Sequence, residues 1–397
     1  MALKLLMVTH YFESHRSGIE LIAGRLIREL VTLGQQVVWV ASNVTPPPPD
    51  GNCSSRAVGL NAVNATERYL GIPFPILTPG AIWQLRREVR HADAVLLQDS
   101  LYPACFVAFV FARFARKPVV IAQHIGEVPY NNPAFRLLMR LANRVVVRPM
   151  LARADRIAFF SEITARYFSG TPFRSTPALM FTGVDTDVYF PVAADQKLKF
   201  RRALGLKPDI PVALFVGRFV EKKGLHILWR MARLRPNILW AFAGWGHLNP
   251  TTWALPNVVV YSDLVGASLA ALYRASDVLV LPSKGEGFPL VIQEALACGL
   301  PVVCSAETAG ADMEVAGFLS SVPLDERNLD ATANAFSAEV DRALAGGADA
   351  RASGEESFRF VSQRYRWSAT AAQYLELIRS ACRHIPDAAG ESSISGI

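Results

Sequence analysis

The sequence predicts an α/β protein made of two doubly wound units, each a mainly parallel sheet with helices on both faces. Short apolar runs of strand length alternate with longer stretches of helical spacing, which is the pattern of successive βαβ units. This alternation stops near residue 183 and begins again at Val212. The chain has 397 residues and is 51% hydrophobic, so it can form two separate cores.

The first unit is predicted to span residues 1–188 and to contain five buried strands. The candidate strands are residues 3–8, 37–41, 94–98, 119–122 and 157–160. The N-terminal run contains Lys4 and lacks a small-residue cleavage site, so we expect a first strand and not a signal peptide. The most apolar window, residues 104–111, is too short to cross a membrane.

The second unit is predicted to span residues 189–366. Its candidate strands are residues 212–216, 239–243, 258–261, 278–281 and 301–304. Between the two units, residues 183–191 follow neither the period of a strand nor that of a helix. The segment ends in Pro191, which predicts a linker. After the second unit, the spacing of Trp367, Ala371, Tyr374 and Ile378 predicts a terminal helix over about residues 367–384.

The composition limits the class of protein without choosing its partner. A net charge of +7 is compatible with nucleic acid, anionic lipid or a nucleoside diphosphate. Five cysteines, an odd number without metal-type spacing, predict reduced thiols and a cytoplasmic protein. Asp185 and Asp187 form an Asp-x-Asp pattern, but in a linker such residues favour chain turning, so we expect no essential metal.

Two carboxylates, Glu286 and Glu294, flank a predicted turn from a strand into a helix. Pro289 suits the first turn of that helix. A helix that begins after a parallel strand offers free N–H groups to a diphosphate, and carboxylates accept hydrogen bonds from hydroxyl groups. The segment therefore predicts a site for a sugar nucleotide. The alternative is that both carboxylates are solvated surface charges.

A second segment, residues 217–225, also follows an apolar run and supplies cations at a predicted helix entrance. Arg218 offers a planar fork and Lys223 a compact charge, and both suit a phosphate. Gly217 and Gly224 flank them. The alternative is that both are ordinary surface cations near a helix start.

Together the two segments resemble the family-4 retaining glycosyltransferases, also called glycosyl transferases group 1, of the GT-B fold. The resemblance implies two Rossmann-like domains that face a central cleft, with the terminal helix crossing back onto the N-terminal, acceptor-binding domain. It implies transfer of a sugar from a nucleoside-diphosphate sugar, a UDP-sugar in preference to a GDP-sugar, to a hydroxyl of a glycan or lipid-linked acceptor. No other cofactor is implied, and bacterial polysaccharide or glycolipid assembly is the expected setting.

The resemblance also implies roles for particular residues. Arg218 and Lys223 would stabilise the β-phosphate, Glu286 would lie near the hydroxyls of the donor sugar, and Glu294 would accept the ribose hydroxyls. His124, after a predicted strand, would contact the donor sugar near the reacting carbon, although a lone histidine is more often structural. Further donor contacts are implied for Gly18, Gly217, Gly244, Gly287, Phe288, Pro289 and Leu290. The loop before Gly18 has Ser17 in place of a paired glycine, and Trp245 is unusual beside the expected nucleobase.

A basic stripe marks one predicted helix of the first unit. Arg136, Arg140, Arg144 and Arg148 recur every four residues among apolar side chains. Such a helix is typical of an anionic membrane surface, which predicts peripheral contact with the inner face of the plasma membrane and a membrane-proximal acceptor. The alternative is an ordinary amphipathic helix whose apolar face meets its own sheet.

Two other functions fit parts of the pattern. An epimerase or hydrolase on the same fold would consume the nucleotide sugar without an acceptor. A non-catalytic subunit of a glycan assembly complex would bind the nucleotide sugar only. Nucleic-acid binding would explain the charge but none of the spacings, so we expect no nucleic-acid partner.

Overall fold

The structure, a computed structural model, describes residues 2–15, 18–49, 54–64, 74–126, 133–285 and 288–383. Its first sheet has seven strands, all of whose pairings are parallel. These strands are β1 (Lys4–Val8), β2 (Gln36–Ser42), β3 (Ser55–Leu60), β6 (Ala94–Gln98), β7 (Val119–Gln123), β8 (Arg156–Phe159) and β9 (Ala178–Leu179). A short antiparallel pair, β4 (Ala62–Val63) and β5 (Ile76–Leu77), lies apart from it.

The second sheet has six parallel strands. They are β10 (Val212–Val216), β11 (Leu239–Ala243), β12 (Val258–Tyr261), β13 (Val278–Leu281), β14 (Val302–Ser305) and β15 (Leu319–Val322). The strand order is β3-β2-β1-β6-β7-β8-β9 in the first sheet and β12-β11-β10-β13-β14-β15 in the second. The order therefore reverses beside β1 and beside β10, and in open parallel sheets ligands bind at the carboxyl ends of the strands next to such reversals.

Helices cover both sheets. In the first unit they are α1 (Gly18–Thr32), α2 (Pro79–His91), α3 (Pro103–Phe114), α4 (Pro133–Ala142), α5 (Arg148–Arg153) and α6 (Glu162–Phe168). The later ones are α7 (Ala194–Ala203), α8 (Leu225–Leu234), α9 (Ala267–Ala275), α10 (Leu290–Ala297), α11 (Ala306–Ala309), α12 (Leu329–Ala345), α13 (Gly347–Arg364) and α14 (Trp367–Arg383). A π-helical turn, Asn143–Val147, joins α4 to α5, and a 3-10 turn, Glu221–Lys223, precedes α8.

The central strands are apolar because both of their faces are covered. Every residue of β6, β7, β10 and β13 is buried. Such fully buried strands appear in a sequence as continuous apolar runs, which explains why these four were predicted. None of the helices within the described ranges is both long and apolar enough to cross a membrane.

The last helix, α14, crosses back to the first unit, as predicted. Its buried side chains Tyr374 and Ile378 share a core layer with Leu5 and Met7 of β1. Arg156, at the start of β8, donates a hydrogen bond through Nε to the Ser380 hydroxyl at 2.8 Å. The first unit is therefore completed by a helix that follows the entire second unit in the chain.

The chain passes between the units at two adjacent segments. The Val184 N–H donates to the Tyr365 carbonyl at 2.7 Å. A Cβ at Gly183 would lie 2.5 Å from the Trp367 ring, so this close approach requires glycine. Val184 already packs into the second core, before the predicted boundary at 188/189.

Asp185 and Asp187 serve the chain turn at this crossing. The Asp185 carboxylate accepts a hydrogen bond from the Asp187 N–H at 3.3 Å and forms an ion pair with Arg25 at 3.3 Å. Among the residues that the structure describes, no group of three or more His, Cys, Asp or Glu side chains is placed to hold a metal ion.

Candidate active site

The carboxyl ends of the two sheets face each other. The Glu162 N–H, at the start of α6 after β8, donates to the Ala311 carbonyl at 3.0 Å. Arg166 of the same helix donates to the Gly310 carbonyl at 3.4 Å. Gly310 and Ala311 follow α11 and hence the carboxyl end of β14. The loops after the strands of both units therefore border one cleft.

In the second unit, two cations lie at the carboxyl end of β10. Gly217 has a φ of 151°, and the Lys223 Cε lies 3.7 Å from where a Cβ on Gly217 would stand, so the lysine chain runs past this glycine. Arg218 is exposed, and its guanidinium carbon lies 4.8 Å from the centroid of the Trp245 ring. The predicted pair is thus brought to one edge of the sheet.

Trp245 is placed by two close contacts between neighbouring loops. A Cβ at Gly244 would lie 2.0 Å from the Gly217 carbonyl oxygen, and a Cβ at Gly246 would lie 2.4 Å from that of Phe219. Both glycines have φ near 150°. These contacts press the loop after β11 onto the loop after β10, and they leave the Trp245 ring 43% exposed under Arg218. The sequence pattern did not predict this cation–π contact.

The turn that carries Lys223 is also fixed to the loop after β13. Gly224 has a φ of 72°, and a Cβ there would lie 2.2 Å from the Pro282 carbonyl oxygen. The Lys284 N–H donates to the Lys222 carbonyl at 2.9 Å. The cations and the loop that leads to residue 286 are therefore parts of one packed unit.

The loop after β13 is anchored from the start of α11. The Ser305 hydroxyl donates to the Ser283 carbonyl at 2.6 Å, and the Gly285 N–H donates to the Glu307 carboxylate at 3.1 Å. Glu286 and Gly287, both predicted site residues, lie outside the described residues. The loop is thus described up to Gly285 and again from Phe288.

Phe288, Pro289 and Leu290 begin the helix that was predicted here. Phe288 is buried, with its ring edge-on to Phe181 at 6.0 Å. Pro289 occupies the cap position and Leu290 is the first helical residue, so Pro289 directly precedes the first turn in which it was predicted. Phe288 therefore packs the start of α10 against Phe181, just before the segment where the chain crosses between the units.

Glu294 lies in α10 with its carboxylate among tyrosines. The Tyr273 hydroxyl donates to its Oε2 at 2.8 Å, and the Tyr189 hydroxyl is a second donor. Burial raises the pKa of Glu294 to about 7, and the two hydrogen bonds oppose that rise. A carboxylate has about four lone-pair positions, so this one can accept further hydroxyl groups.

His124 directly follows β7, in the first unit. Its Nε2 lies 2.8 Å from Gln98 Oε1, and its ring stacks on Phe160 with a centroid separation of 4.0 Å. Burial lowers the pKa of His124 to about 3, so the imidazole is neutral at pH 7. The sequence predicted His124 as a site residue, but nothing in the pattern predicted Gln98 as its partner.

Asp99 was also missed, although it follows β6 next to Gln98. It is fully buried with a φ of 74°, which is rare for a residue other than glycine. Its carboxylate accepts hydrogen bonds from the Leu101 N–H at 3.1 Å and the Ile125 N–H at 3.0 Å. Burial raises its pKa to about 6, against the effect of these bonds. Asp99 therefore fixes the chain directly after His124.

Gly18 begins α1. A Cβ placed there would meet no atom within 4 Å, so packing does not require a glycine and the space beside it is open. In contrast, the neighbouring His10 is buried and stacks on Tyr102 at 4.0 Å. The N-terminal loop is therefore tightly packed at His10 and has open space at Gly18, where α1 begins.

The predicted arginine stripe divides at the π-helical turn. Arg136, Arg140 and Arg144 are exposed. Arg148 instead donates to the Thr171 hydroxyl at 3.0 Å and the Tyr167 carbonyl at 2.9 Å. The prediction is therefore wrong for Arg148, because a π turn holds more residues than an α turn and moves later side chains out of phase.

Apolar residues beside the three exposed arginines also face solvent. Their exposed fractions are 69% for Leu137, 55% for Leu138, 55% for Leu141 and 61% for Val145. In α5, by contrast, Met150 and Leu151 are buried in the core of the first unit. The interpretation as a helix packed on its own sheet thus holds for α5, whereas these four described side chains of α4 and the π turn face solvent.

Two family models match the chain on either side of the crossing. Glycosyltransferase Family 4 matches residues 16–188, and Glycosyl transferases group 1 matches residues 196–338. The cation pair and Glu294 fall within the second match, and His124 within the first.

Curated relatives share the sequence over much of its length. A D-inositol 3-phosphate glycosyltransferase of Kineococcus radiotolerans is 34% identical, over 77% of this chain and 76% of that protein. One of Segniliparus rotundus is 30% identical, over 72% of this chain and 63% of that protein. The chain thus spans less than two thirds of the length of the Segniliparus relative.

Solved structures share the fold. Sucrose-phosphate synthase from Thermosynechococcus elongatus has a TM-score of 0.72 at 20% identity, covering 95% of this chain and 98% of its own. Anabaena Alr3699/HepE in complex with UDP and glucose has a TM-score of 0.72 at 17% identity, covering 95% of this chain and 100% of its own. At such identities the likeness concerns the fold alone.

Proposed function

The chain belongs to the family-4 glycosyltransferases and has the GT-B fold, and from this premise we propose a specific reaction for it. It transfers a sugar from a nucleoside-diphosphate sugar to a hydroxyl of a glycan or lipid-linked acceptor, and the sugar keeps its anomeric configuration. The observation that carries the proposal is the placement of Arg218 and Lys223 together at the carboxyl end of β10, within the donor-side unit.

The two cations stabilise the leaving diphosphate. As the bond between the sugar carbon and the β-phosphate oxygen breaks, negative charge develops on that phosphate, and preorganised positive groups lower the barrier. Within the described ranges the Arg218 guanidinium forms no ion pair, so its charge is available to the ligand. Lys223 adds a second charge from a turn that is packed against the neighbouring loops.

Retention follows if the acceptor attacks from the face that the diphosphate leaves. The acceptor oxygen forms a bond to the sugar carbon while the bond to phosphate breaks, and the acceptor proton passes to an oxygen of the departing phosphate. This route needs no carboxylate nucleophile. It suits a site in which Glu294 is already engaged by Tyr189 and Tyr273.

Glu294 binds the ribose in this proposal. The two tyrosines orient its carboxylate, and its remaining lone pairs accept two ribose hydroxyls. We propose uridine as the base, which is the choice that the family resemblance implies. A GDP-sugar is the second choice.

The experiment for the donor is a binding and turnover panel of UDP-, GDP- and ADP-sugars. Wild type is compared with Glu294→Ala, and with Glu339→Ala, a partly exposed glutamate of α12 that pairs with Arg342, as a control. Selective binding that only Glu294→Ala weakens supports the donor site. Absence of binding across the panel overturns the donor site.

The acceptor is tested in the same panel. Transfer is measured with D-inositol 3-phosphate, after which the curated relatives are named, and with lipid-linked glycans. Product with either acceptor supports the transferase. Donor consumption that no acceptor accelerates contradicts transfer and indicates a hydrolase or epimerase.

We further propose that α4 and the π turn meet an anionic membrane surface. Arg136, Arg140 and Arg144 are exposed beside the apolar side chains described above, and no acidic residue occurs in residues 133–154. Apolar insertion and attraction to anionic lipid then act together. The Asn143 side chain donates to the Gly126 carbonyl at 3.3 Å, so this surface lies beside the loop of His124, and that contact supports a membrane-proximal acceptor.

Flotation with anionic and neutral vesicles tests this surface. Reversal of Arg136, Arg140 and Arg144 to Glu is expected to release the protein from anionic vesicles, and Leu137→Ser with Leu141→Ser to weaken binding in the same assay. Reversal of Arg202, Arg359 and Arg379 to Glu, three exposed arginines elsewhere in the chain, is the matched control. Undiminished flotation of the triple variant contradicts the proposed membrane contact.

A further inference from the structure

A hydrogen bond between two side chains joins the ends of β6 and β7. Gln98, the last residue of β6, is fully buried, and its Oε1 lies 2.8 Å from His124 Nε2. The other end of the same amide is also engaged, because Gln98 Nε2 lies 3.1 Å from the Met7 sulfur of β1. Both groups of the amide therefore have partners.

The orientation of the amide determines which nitrogen of His124 carries the proton. An amide N–H₂ facing the thioether gives a weak hydrogen bond, whereas an amide oxygen there would place two acceptors against each other. With the N–H₂ group toward Met7, the Gln98 oxygen faces His124 and requires an N–H from Nε2. Nδ1 then holds a lone pair, and it has no hydrogen-bond partner among the described residues.

The plane of the imidazole is fixed as well. Its ring lies 10° from parallel with the Phe160 ring, and the Phe160 centroid lies 6.2 Å from that of Tyr374 in α14. Asp99 holds the next residue, Ile125, by its N–H. His124 is thus constrained by stacking on the face of its ring, by the hydrogen bond at Nε2 and by the anchored backbone of the next residue.

We propose that Gln98 is a positioning residue that holds His124 in its neutral Nε2–H form, so that Nδ1 is an acceptor for a sugar hydroxyl. This inference rests on the proposed function for the identity of the ligand. His124 then adds no positive charge to the diphosphate. It favours a donor sugar that has a hydroxyl within hydrogen-bonding distance of Nδ1.

The tautomer is read directly from the imidazole ¹⁵N shifts of labelled protein without ligand. The chain has 7 histidines, and loss of one signal set in His124→Gln assigns the resonance. We expect a protonated Nε2, an unprotonated Nδ1 and no titration between pH 5 and 8. A proton on Nδ1 in the wild type would overturn the inference.

Two substitutions separate positioning from packing. In Gln98→Glu the carboxylate favours the imidazolium, so His124 is expected to begin titrating in the pH 5–8 range and activity to become pH-dependent there. Gln98→Leu leaves the Nε2–H without its partner, so a tautomer mixture and about a tenfold lower kcat/KM are expected. Gln293→Leu, which removes a buried bond to Thr182 far from His124 in the chain, is the control.

The outcomes distinguish this inference from the proposed function. Unchanged His124 shifts in both Gln98 variants contradict the positioning role even if transfer is robust. Shifts that respond as expected support that role even in a protein that binds no sugar nucleotide, a result that would contradict only the proposed function.

Discussion

The two units present different chemistry near the strand reversals of their sheets, on strands that do not correspond. In the first unit the strands are β6 and β7, and in the second it is β10, the counterpart of β1. At the strand reversal of the first sheet, Gln98, Asp99 and His124 are tied to each other and to nearby backbone. At the reversal of the second sheet, Arg218 lies exposed on a loop and Lys223 on a packed turn. One unit therefore has a site held by hydrogen bonds around a neutral imidazole, and the other has a site that supplies positive charge.

The pKa shifts in the first site all favour neutral groups. Burial raises the pKa of Asp99 to about 6 and lowers that of His124 to about 3. Removal from water disfavours a charged acid and a charged base alike. At pH 7 His124 is therefore neutral, whereas Asp99, whose raised pKa still lies below 7, is mostly ionised and accepts hydrogen bonds from the backbone. A neutral imidazole can recognise hydroxyl groups without competing with Arg218 and Lys223 for the diphosphate.

The largest effect is expected when a cation is removed from the site of the second unit. Lys223→Ala is expected to lower kcat for sugar transfer by about 10²–10³-fold, the usual loss for one group that stabilises developing negative charge. The melting temperature should change little. Steady-state kinetics beside Lys222→Ala, whose side chain is exposed in the same turn, is the check. Equal losses in the two variants would argue against a specific role.

A substitution at Asp99, in the first unit, should instead lower the free energy of unfolding. Asp99→Ala leaves two buried backbone N–H groups without acceptors and puts alanine at a φ of 74°, so the free energy of unfolding is expected to fall by about 2–4 kcal/mol. Asp99→Asn retains an acceptor and tolerates positive φ, so it should lose less. Denaturant melts measure both, and equal stability of all three proteins would refute the role.

A smaller effect concerns pH and Glu294. Its pKa in the folded protein, about 7, exceeds the ordinary value of 4.5, so the folded state holds this proton more tightly. Its contribution to stability is therefore present below pH 4.5 and lost as the pH rises to about 7. Relative to Glu294→Gln, wild type should lose on the order of a few degrees of melting temperature across this range. Asp99 and His124 titrate in both proteins and cancel, and a difference independent of pH would contradict the shift.

The smallest expected effect tests the ring beneath Arg218. Trp245→Ala removes a cation–π contact worth about 0.5–1 kcal/mol, so donor binding should weaken about twofold to fivefold. Trp229→Ala is the matched control, because Arg233 lies 4.7 Å from that ring in α8. Calorimetric titration should show a change for Trp245 only.

The sequence predicted the buried strands and much of the charged site because both leave local signals. β10 is a continuous apolar run, and Arg218 and Lys223 stand beside glycines that the loop contacts require. β3, β9 and β15 were not predicted, since they are short or carry polar residues and glycine. Such strands depend on their neighbours in the sheet more than on their own pattern.

Partners distant in sequence could not be predicted. Tyr189 and Tyr273 meet Glu294 only after the second unit has folded, and Gln98 meets His124 across two strands. The inward turn of Arg148 has a different cause, since it depends on a π turn that regular helical spacing does not reveal. The pattern shows which residues are suited to chemistry, while pairing depends on topology.

The position of α14 imposes an order on synthesis. The face of the first sheet that bears Leu5 and Met7 is covered by Tyr374 and Ile378, which leave the ribosome only after the whole second unit. Although N-terminal domains usually fold first during translation, in this one the part of that face that α1 does not cover must wait while some 180 further residues are made. The nascent chain is thus a natural client for chaperones, and its second half is free to fold before its first is finished.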